Sequence, residues 1–230
     1  AIDNLQMVVN SPMQYGTNNN ELGNYLFAGC KSLEAIILPE NITTIGFDVF
    51  SHNSNLLSLE IPKNVSSISI GVIQECESLS SLSVEDGNQT YSSPDGCNAI
   101  IHTANMELVA GCKNTIIPSG IKTIDAYAFQ HCISLTSIKI PESITTIGDY
   151  AFWGCYGLTG LNIPASVTRI GYMAFYGCSA LNSIIVDSEN SVYDSRNNCN
   201  ALIETSSNTL LLGCKNTIIP DGILKIEENA

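Results

Sequence analysis

The chain has 230 residues, 44% of them hydrophobic and only 13% charged. That is enough for one sizeable core or two small ones, and the low charged fraction argues against disorder and against a coiled coil. Nine Lys and Arg against 22 Asp and Glu give a net charge of −13; without a basic cluster, nucleic acid and anionic membranes are poor partners, and no run of 18 apolar residues is present to span a bilayer.

Residues 1–21 lie outside the repeating part and are read as an N-terminal segment that caps the first coil. The start Ala1-Ile2-Asp3-Asn4 is neither an initiator methionine nor a signal peptide, and reads as a mature or trimmed terminus whose export signal has been removed. From residue 22 a repeat takes over. Cys30, Asn53 and Cys76 recur at 23 residues, as do Cys132, Cys155 and Cys178, and each is followed three residues later by Leu33, Leu56, Leu79, Leu135, Leu158 or Leu181. One unit, 132–152, reads Cys-x-x-Leu-x-x-Ile-x-Ile-Pro-x-x-Ile-x-x-Ile-Gly-x-x-Ala-Phe.

The physics of this unit is restrictive. Alternation in Ile138-Lys139-Ile140 predicts a short strand with one buried face, and Pro141 closes it because proline cannot donate to a ladder. Ile144 and Ile147 predict a second extended leg, Gly148 a tight corner, and Asp149-Tyr150-Ala151-Phe152 a single helical turn with Phe152 as a plug. No unit this short buries its own apolar face, so neighbours must stack with strands ~4.8 Å apart. The expected fold is a repeat solenoid, mixed α/β but mostly β.

Two units are longer. Val84-Glu85-Asp86-Gly87-Asn88 through Tyr91, then Cys97-Asn98-Ala99-Ile100-Ile101, has a counterpart in Val186-Asp187-Ser188-Glu189-Asn190 through Tyr193, then Cys199-Asn200-Ala201-Leu202-Ile203. Turn residues followed by apolar runs predict a small β-hairpin protruding from the stack in each. A shift of 102 residues maps Cys30 to Cys132, Cys97 to Cys199 and Cys112 to Cys214, and residues 111–118 onto 213–220 without a mismatch. The chain is therefore a three-unit block in tandem duplicate. It stops at Asn229-Ala230, aligned with Tyr127-Ala128, so the array is expected to continue.

These residues resemble the BspA-like, or Treponema pallidum type, leucine-rich repeats: Cys-x-x-Leu, a strand ending in Ile-Pro, then Ile-Gly-x-x-Ala-Phe-x-x-Cys, at 132–155 and 155–178. The resemblance covers about residues 22–230. It weakens at 53–76, where Asn53 replaces the cysteine and Ser69-Ile70-Gly71-Val72-Ile73 replaces the corner. It implies a right-handed leucine-rich-repeat coil with short parallel strands and single helical turns.

Little points to chemistry. Cys30, Asn53, Cys76, Cys132, Cys155 and Cys178 form a structural ladder of inert buried positions, and no Cys-x-x-Cys pair suggests zinc. Cys97 with Cys112, and Cys199 with Cys214, are disulfide candidates, or simply core positions. The histidines His52, His102 and His131 are read as non-recurring surface substitutions; Glu85-Asp86 is read as a solvated turn. No catalytic residue, metal or cofactor is expected. The sequons at Asn41, Asn64 and Asn88 matter only in a eukaryotic source.

What remains is surface. One outward position per strand gives Ile37, Glu60, Ser83, Lys139, Asn162 and Ile185, varied where the core is monotonous. A second candidate is an aromatic edge in which Trp153 and Tyr176, 23 residues apart, stack as neighbours with Tyr150, Tyr156 and Tyr172 close by; exposed aromatics suit protein or glycan contact. The resemblance implies a non-enzymatic, extracellular, surface-displayed module that binds host matrix or another cell-surface protein. Glycan binding through the aromatic edge and a spacer presenting another domain are the alternatives.

Overall fold

The computed structural model describes residues 6–8 and 20–230. Most of the N-terminal segment 1–21 falls outside the described residues; within it, Gln6–Val8 is a strand paired in parallel with Ala35–Ile37. The chain is a β-solenoid. On one face Ala35–Ile37, Ser58–Ile61 and Ser81–Val84 continue a parallel ladder in which Ser58 pairs with Ser81 and Glu60 with Ser83. The second leg stacks likewise: Glu21–Leu22, Thr44–Ile45 and Ser67–Ile68 in one ladder, Thr123–Ile124, Thr146–Ile147 and Arg169–Ile170 in another. From residue 21 each of these register steps is 23 residues, the sequence period made spatial.

The corner between legs is not the helical turn expected. Tyr127, Phe129 and His131 donate their N–H groups to Asp149, Ala151 and Trp153 of the next coil, whereas Ala128, Gln130 and Cys132 donate to carbonyls three residues back. Tyr150 sits at φ 57° and Met173 at φ 51°, the left-handed region. Alternate residues therefore turn inward and across, and a helix cannot propagate through the changed sign of φ. The short 3₁₀ turns Pro94–Gly96 and Arg196–Asn198 are the helical elements of the described residues. Gly148 is required by close approach: a Cβ there would lie 2.5 Å from the Ala126 nitrogen of the preceding coil.

Phenylalanines plug five of the coils and stack along the axis, whereas Ile73 stands at that position in the coil after Phe50. Ring centroids of Phe129 and Phe152 lie 4.9 Å apart, Phe152 and Phe175 5.2 Å, Phe27 and Phe50 5.7 Å, each pair nearly parallel. The Cys/Asn ladder locks the backbone of four of these rings. Cys76, Cys155 and Cys178 donate Sγ–H to the carbonyls of Phe50, Phe129 and Phe152 at 3.0, 3.1 and 3.3 Å. Asn53 does the same to Phe27 with its amide at 2.9 Å. An amide and a thiol interchange here because the position needs one short donor.

The long units do contain hairpins, Ala99–His102 with Glu107–Gly111 and Ala201–Glu204 with Thr209–Gly213. They do not protrude. Glu107–Gly111 pairs in parallel with Thr123–Ile124, so the hairpin is spliced into the second-leg ladder, and Ala99, Ile100, Ile101 and Leu108 are buried. Three consecutive apolar residues, Ala99 to Ile101, bury both faces of a strand, which a free hairpin could not do. Each insert also closes the preceding ladder. The Tyr91 hydroxyl accepts the Ile68 N–H at 3.1 Å and the Tyr193 hydroxyl accepts that of Ile170 at 3.0 Å. Asn88 donates to Pro62 and Val65, and Asn190 to Pro164 and Val167.

The strand expected at Ile138-Lys139-Ile140 does not form a ladder. The neighbouring coil runs from Cys112 to Pro118, three residues shorter than the run from Cys132 to Pro141. Its Ile116 N–H and Thr115 hydroxyl bond to Cys97 and Asn98 of the hairpin instead. On the other side Gly160–Ile163 pairs with Ser183–Val186, and the contact with the earlier coil stops at Thr159 N–H to Thr136 C=O, 3.2 Å.

Candidate interaction surfaces

The solenoid presents two surfaces built from the sequence-predicted positions. On the strand face Ile37, Glu60, Lys139, Asn162 and Ile185 are exposed and Ser83 is half-buried, because alternation sends Leu59, Ile61, Leu82, Leu161 and Ile184 inward. The interrupted ladder divides the row. Glu60 and Ser83 are cross-strand partners on one sheet, and Asn162 and Ile185 on another. Between them Lys139, Asn162 and Ile185 come together at a groove of about 590 Å³, with Ile138, Glu142 and Asp187 also in its wall.

The second surface is the aromatic edge. Tyr127 stacks on Tyr150 at 5.1 Å, Tyr150 meets Trp153 at 5.4 Å and Tyr172 edge-on at 5.7 Å, and His131 touches Trp153 at 5.2 Å and Tyr156 at 6.2 Å. Tyr156 and Tyr172 are at least half exposed. Desolvation, with the neighbouring Tyr172, Tyr127 and Asp149, holds the Tyr150 phenol above its ordinary value. Trp153 and Tyr176 lie on adjacent coils, the Tyr176 carbonyl accepting the Gly154 N–H, but they make no ring contact: the ring partners of Trp153 are Tyr150 on its own coil and His131 on the preceding one.

One cluster was missed. His52 Nδ1 lies 2.7 Å from Glu75 Oε2, and His131 Nδ1 3.8 Å from Glu75 Oε1. All three immediately precede the ladder residues Asn53, Cys76 and Cys132, so two of the histidines do recur at one repeat position, and the alignment carried the signal. Among the described residues no group of three or more His, Cys, Asp or Glu is arranged to hold a metal ion. All nine cysteines are free, including both candidate pairs. Burial pushes the Cys76, Cys132 and Cys178 thiols up to about 12, which removes the thiolate that nucleophilic or ligand chemistry needs. The sequon Asn88 has its amide committed to two carbonyls.

A coil of stacked short strands, a plugged interior and exposed variable positions define a leucine-rich-repeat solenoid. The chain belongs to the BspA-type leucine-rich-repeat family, whose model matches residues 11–95 and 107–230 in six copies. No curated protein matches the sequence. Among solved structures, a leucine-rich-repeat protein from Eubacterium ventriosum is similar at 22% identity, covering 73% of this chain and 57% of its own, with a TM-score of 0.52. The pneumococcal vaccine antigen PcpA is similar at 22% identity, 74% and 50% coverage and a TM-score of 0.52. The chain thus spans about half of these proteins, and the likeness is one of fold.

Proposed function

We propose that this chain is a non-enzymatic interaction module, displayed at a bacterial cell surface, that binds a protein of a host or neighbouring cell. The observation that carries the reading is the contrast along the strand face. Inward positions are Leu, Ile or Val at nearly every turn, whereas the outward row runs Ile, Glu, Ser, Lys, Asn, Ile. A scaffold that repeats its core and varies one exposed row is suited to contact. Surface display follows the family resemblance, and a fold neighbour described as a vaccine antigen accords with it.

The aromatic edge supports a second reading, glycan binding. Six connected rings, the His131 imidazole among them, offer flat faces to sugars, although Trp153 and Tyr176 make no ring contact. The test is binding of the purified chain to an array of extracellular-matrix proteins and glycans, with Ile185→Asp and Trp153→Ala variants alongside. Protein binding lost with Ile185→Asp and kept with Trp153→Ala supports the strand face. Glycan binding lost with Trp153→Ala moves the site to the edge, and silence on both favours a spacer.

A further inference from the structure

The tandem duplication lets one half of the chain show what the other half lacks. In the first block Lys63 sits between two carboxylates, its Nζ 2.9 Å from Glu40 Oε2 and 3.7 Å from Glu85 Oε1. Its backbone N–H donates to Glu85 Oε2 at 3.0 Å. The hydrogen bond and charge of Lys63 hold the Glu40 carboxyl below its ordinary value, and Glu40, with Glu85, holds the ammonium above its own. The shift of 102 residues carries Glu40 to Glu142 and Glu85 to Asp187, so both acids are kept. It carries Lys63 to Ala165. The second block therefore repeats the two carboxylates without the cation between them.

Both acids stand in the wall of the strand-face groove of about 590 Å³, together with Ile138 and Ile185. Neither forms an ion pair among the described residues, and Lys139 in the same wall pairs with neither. Asp187 Oδ1 accepts the Glu189 N–H at 2.9 Å. Both exchanges, Lys63 for Ala165 and Glu85 for Asp187, shorten the side chain. Ile185 is 54% exposed and Ile138 is half-buried. Apolar surface beside a carboxylate suits a long cationic side chain, whose alkyl stem lies along the one while its charge meets the other.

We infer that Glu142 and Asp187 form a slot for a lysine side chain of a partner protein, its ammonium taking the place that Lys63 holds in the first block and its stem lying against Ile138 and Ile185. This rests on the proposed protein-binding role and names the partner's anchoring residue. The coils stay as they are, and one side chain enters from solvent. The net charge of −13 draws a basic partner toward this face.

Titration of the isotope-labelled full chain with the capped tripeptide Gly-Lys-Gly, followed by NMR, tests it. The control is the same peptide acetylated at the lysine Nζ, which keeps the stem and removes the charge. Saturable shifts are expected at the amides of Lys139, Ile185 and Asp187, with the acetylated peptide about threefold weaker or more. Ala165→Lys gives the second block its own ammonium, as the first block has, and should weaken the peptide by about threefold or more while leaving the urea midpoint at or above wild type. Glu142→Gln/Asp187→Asn should weaken it similarly. No saturable shift on this face, equal affinity for the acetylated peptide, or unchanged affinity in both variants overturns the inference. Matrix proteins that bind Ala165→Lys as tightly as wild type on the array would leave the interaction module standing while the slot falls. An array on which wild type binds no protein sinks the module and the partner with it.

Discussion

Replacing Phe152 by Ala measures how tightly successive coils depend on one another. The ring is fully buried and is sandwiched between Phe129 at 4.9 Å and Phe175 at 5.2 Å. Truncating a buried Phe to Ala costs about 3–5 kcal/mol from lost transfer energy and the cavity left behind. Two stacked contacts, each worth about 0.5–1.5 kcal/mol beyond burial, are lost together, which places the expected loss near the top of that range. Phe27 is as buried but stacks on Phe50 alone among the described rings, so Phe27→Ala should cost about 1 kcal/mol less. Urea unfolding followed by circular dichroism reads both. The comparison is valid only where the slope of stability against urea is unchanged, since repeat arrays can lose all-or-none behaviour. A loss below about 2 kcal/mol for Phe152→Ala, with an unchanged slope, would refute the claim that the ring stack ties the coils together.

Other consequences follow from single positions. Asn53 is fully buried and satisfies the ladder with its amide, but its Oδ1 has no partner; Asn53→Cys should raise stability by about 1 kcal/mol, read as a higher urea midpoint. Tyr193→Phe removes the acceptor of the Ile170 N–H and should cost about 1–2 kcal/mol, with faster amide exchange at Ile170 by NMR. The thiols of Cys76, Cys132 and Cys178 stand at about 12 in the folded chain, against roughly 8.5 when unfolded. Their neutral form is therefore the one the fold favours. That stability is fully present below the unfolded value and is lost as pH rises toward 12, by about 1.4 kcal/mol per thiol per pH unit. Urea midpoints of the reduced protein from pH 8 to 11 should fall accordingly, and less steeply in Cys76→Asn; a flat profile would contradict the buried ladder.

Much of the fold was legible because repetition multiplies a weak local signal. Cys-x-x-Leu, Ile-Pro and Ala-Phe each recur, and their spacing alone fixes stacking, core rows and the ladder in which Asn53 stands for cysteine. The corner was not legible. A left-handed Tyr150 or Met173 carries no glycine-like mark, and the hydrogen bonds that stabilise it come from the next coil. Nor could the local pattern at Ile138-Lys139-Ile140 reveal that its neighbour is three residues too short to pair with it. The inserts misled for a related reason: turn residues mark a hairpin but do not say whether its outer strand finds a partner. His52, Glu75 and His131 were within reach, since position in the repeat places them side by side. The strand-face row was read residue by residue, and its gathering into a groove at Lys139, Asn162 and Ile185 depended on the missing ladder.

The tyrosine junctions bear on how such a rod would carry load. At each insert the second-leg ladder ends on a phenol oxygen and a new ladder begins. The first insert also separates the Phe27–Phe50 pair from the Phe129–Phe152–Phe175 stack, and the buried apolar side chains fall into three clusters. At the first insert two of these clusters meet within the hairpin, Ile100 and Ala110 belonging to one and Ile101 and Leu108 to the other. Tension applied at the two ends would part the rod at those seams before it opened the coils between them. Under such a pull the expected signature is extension in discrete steps, one block at a time, and a single smooth rise in force would contradict it.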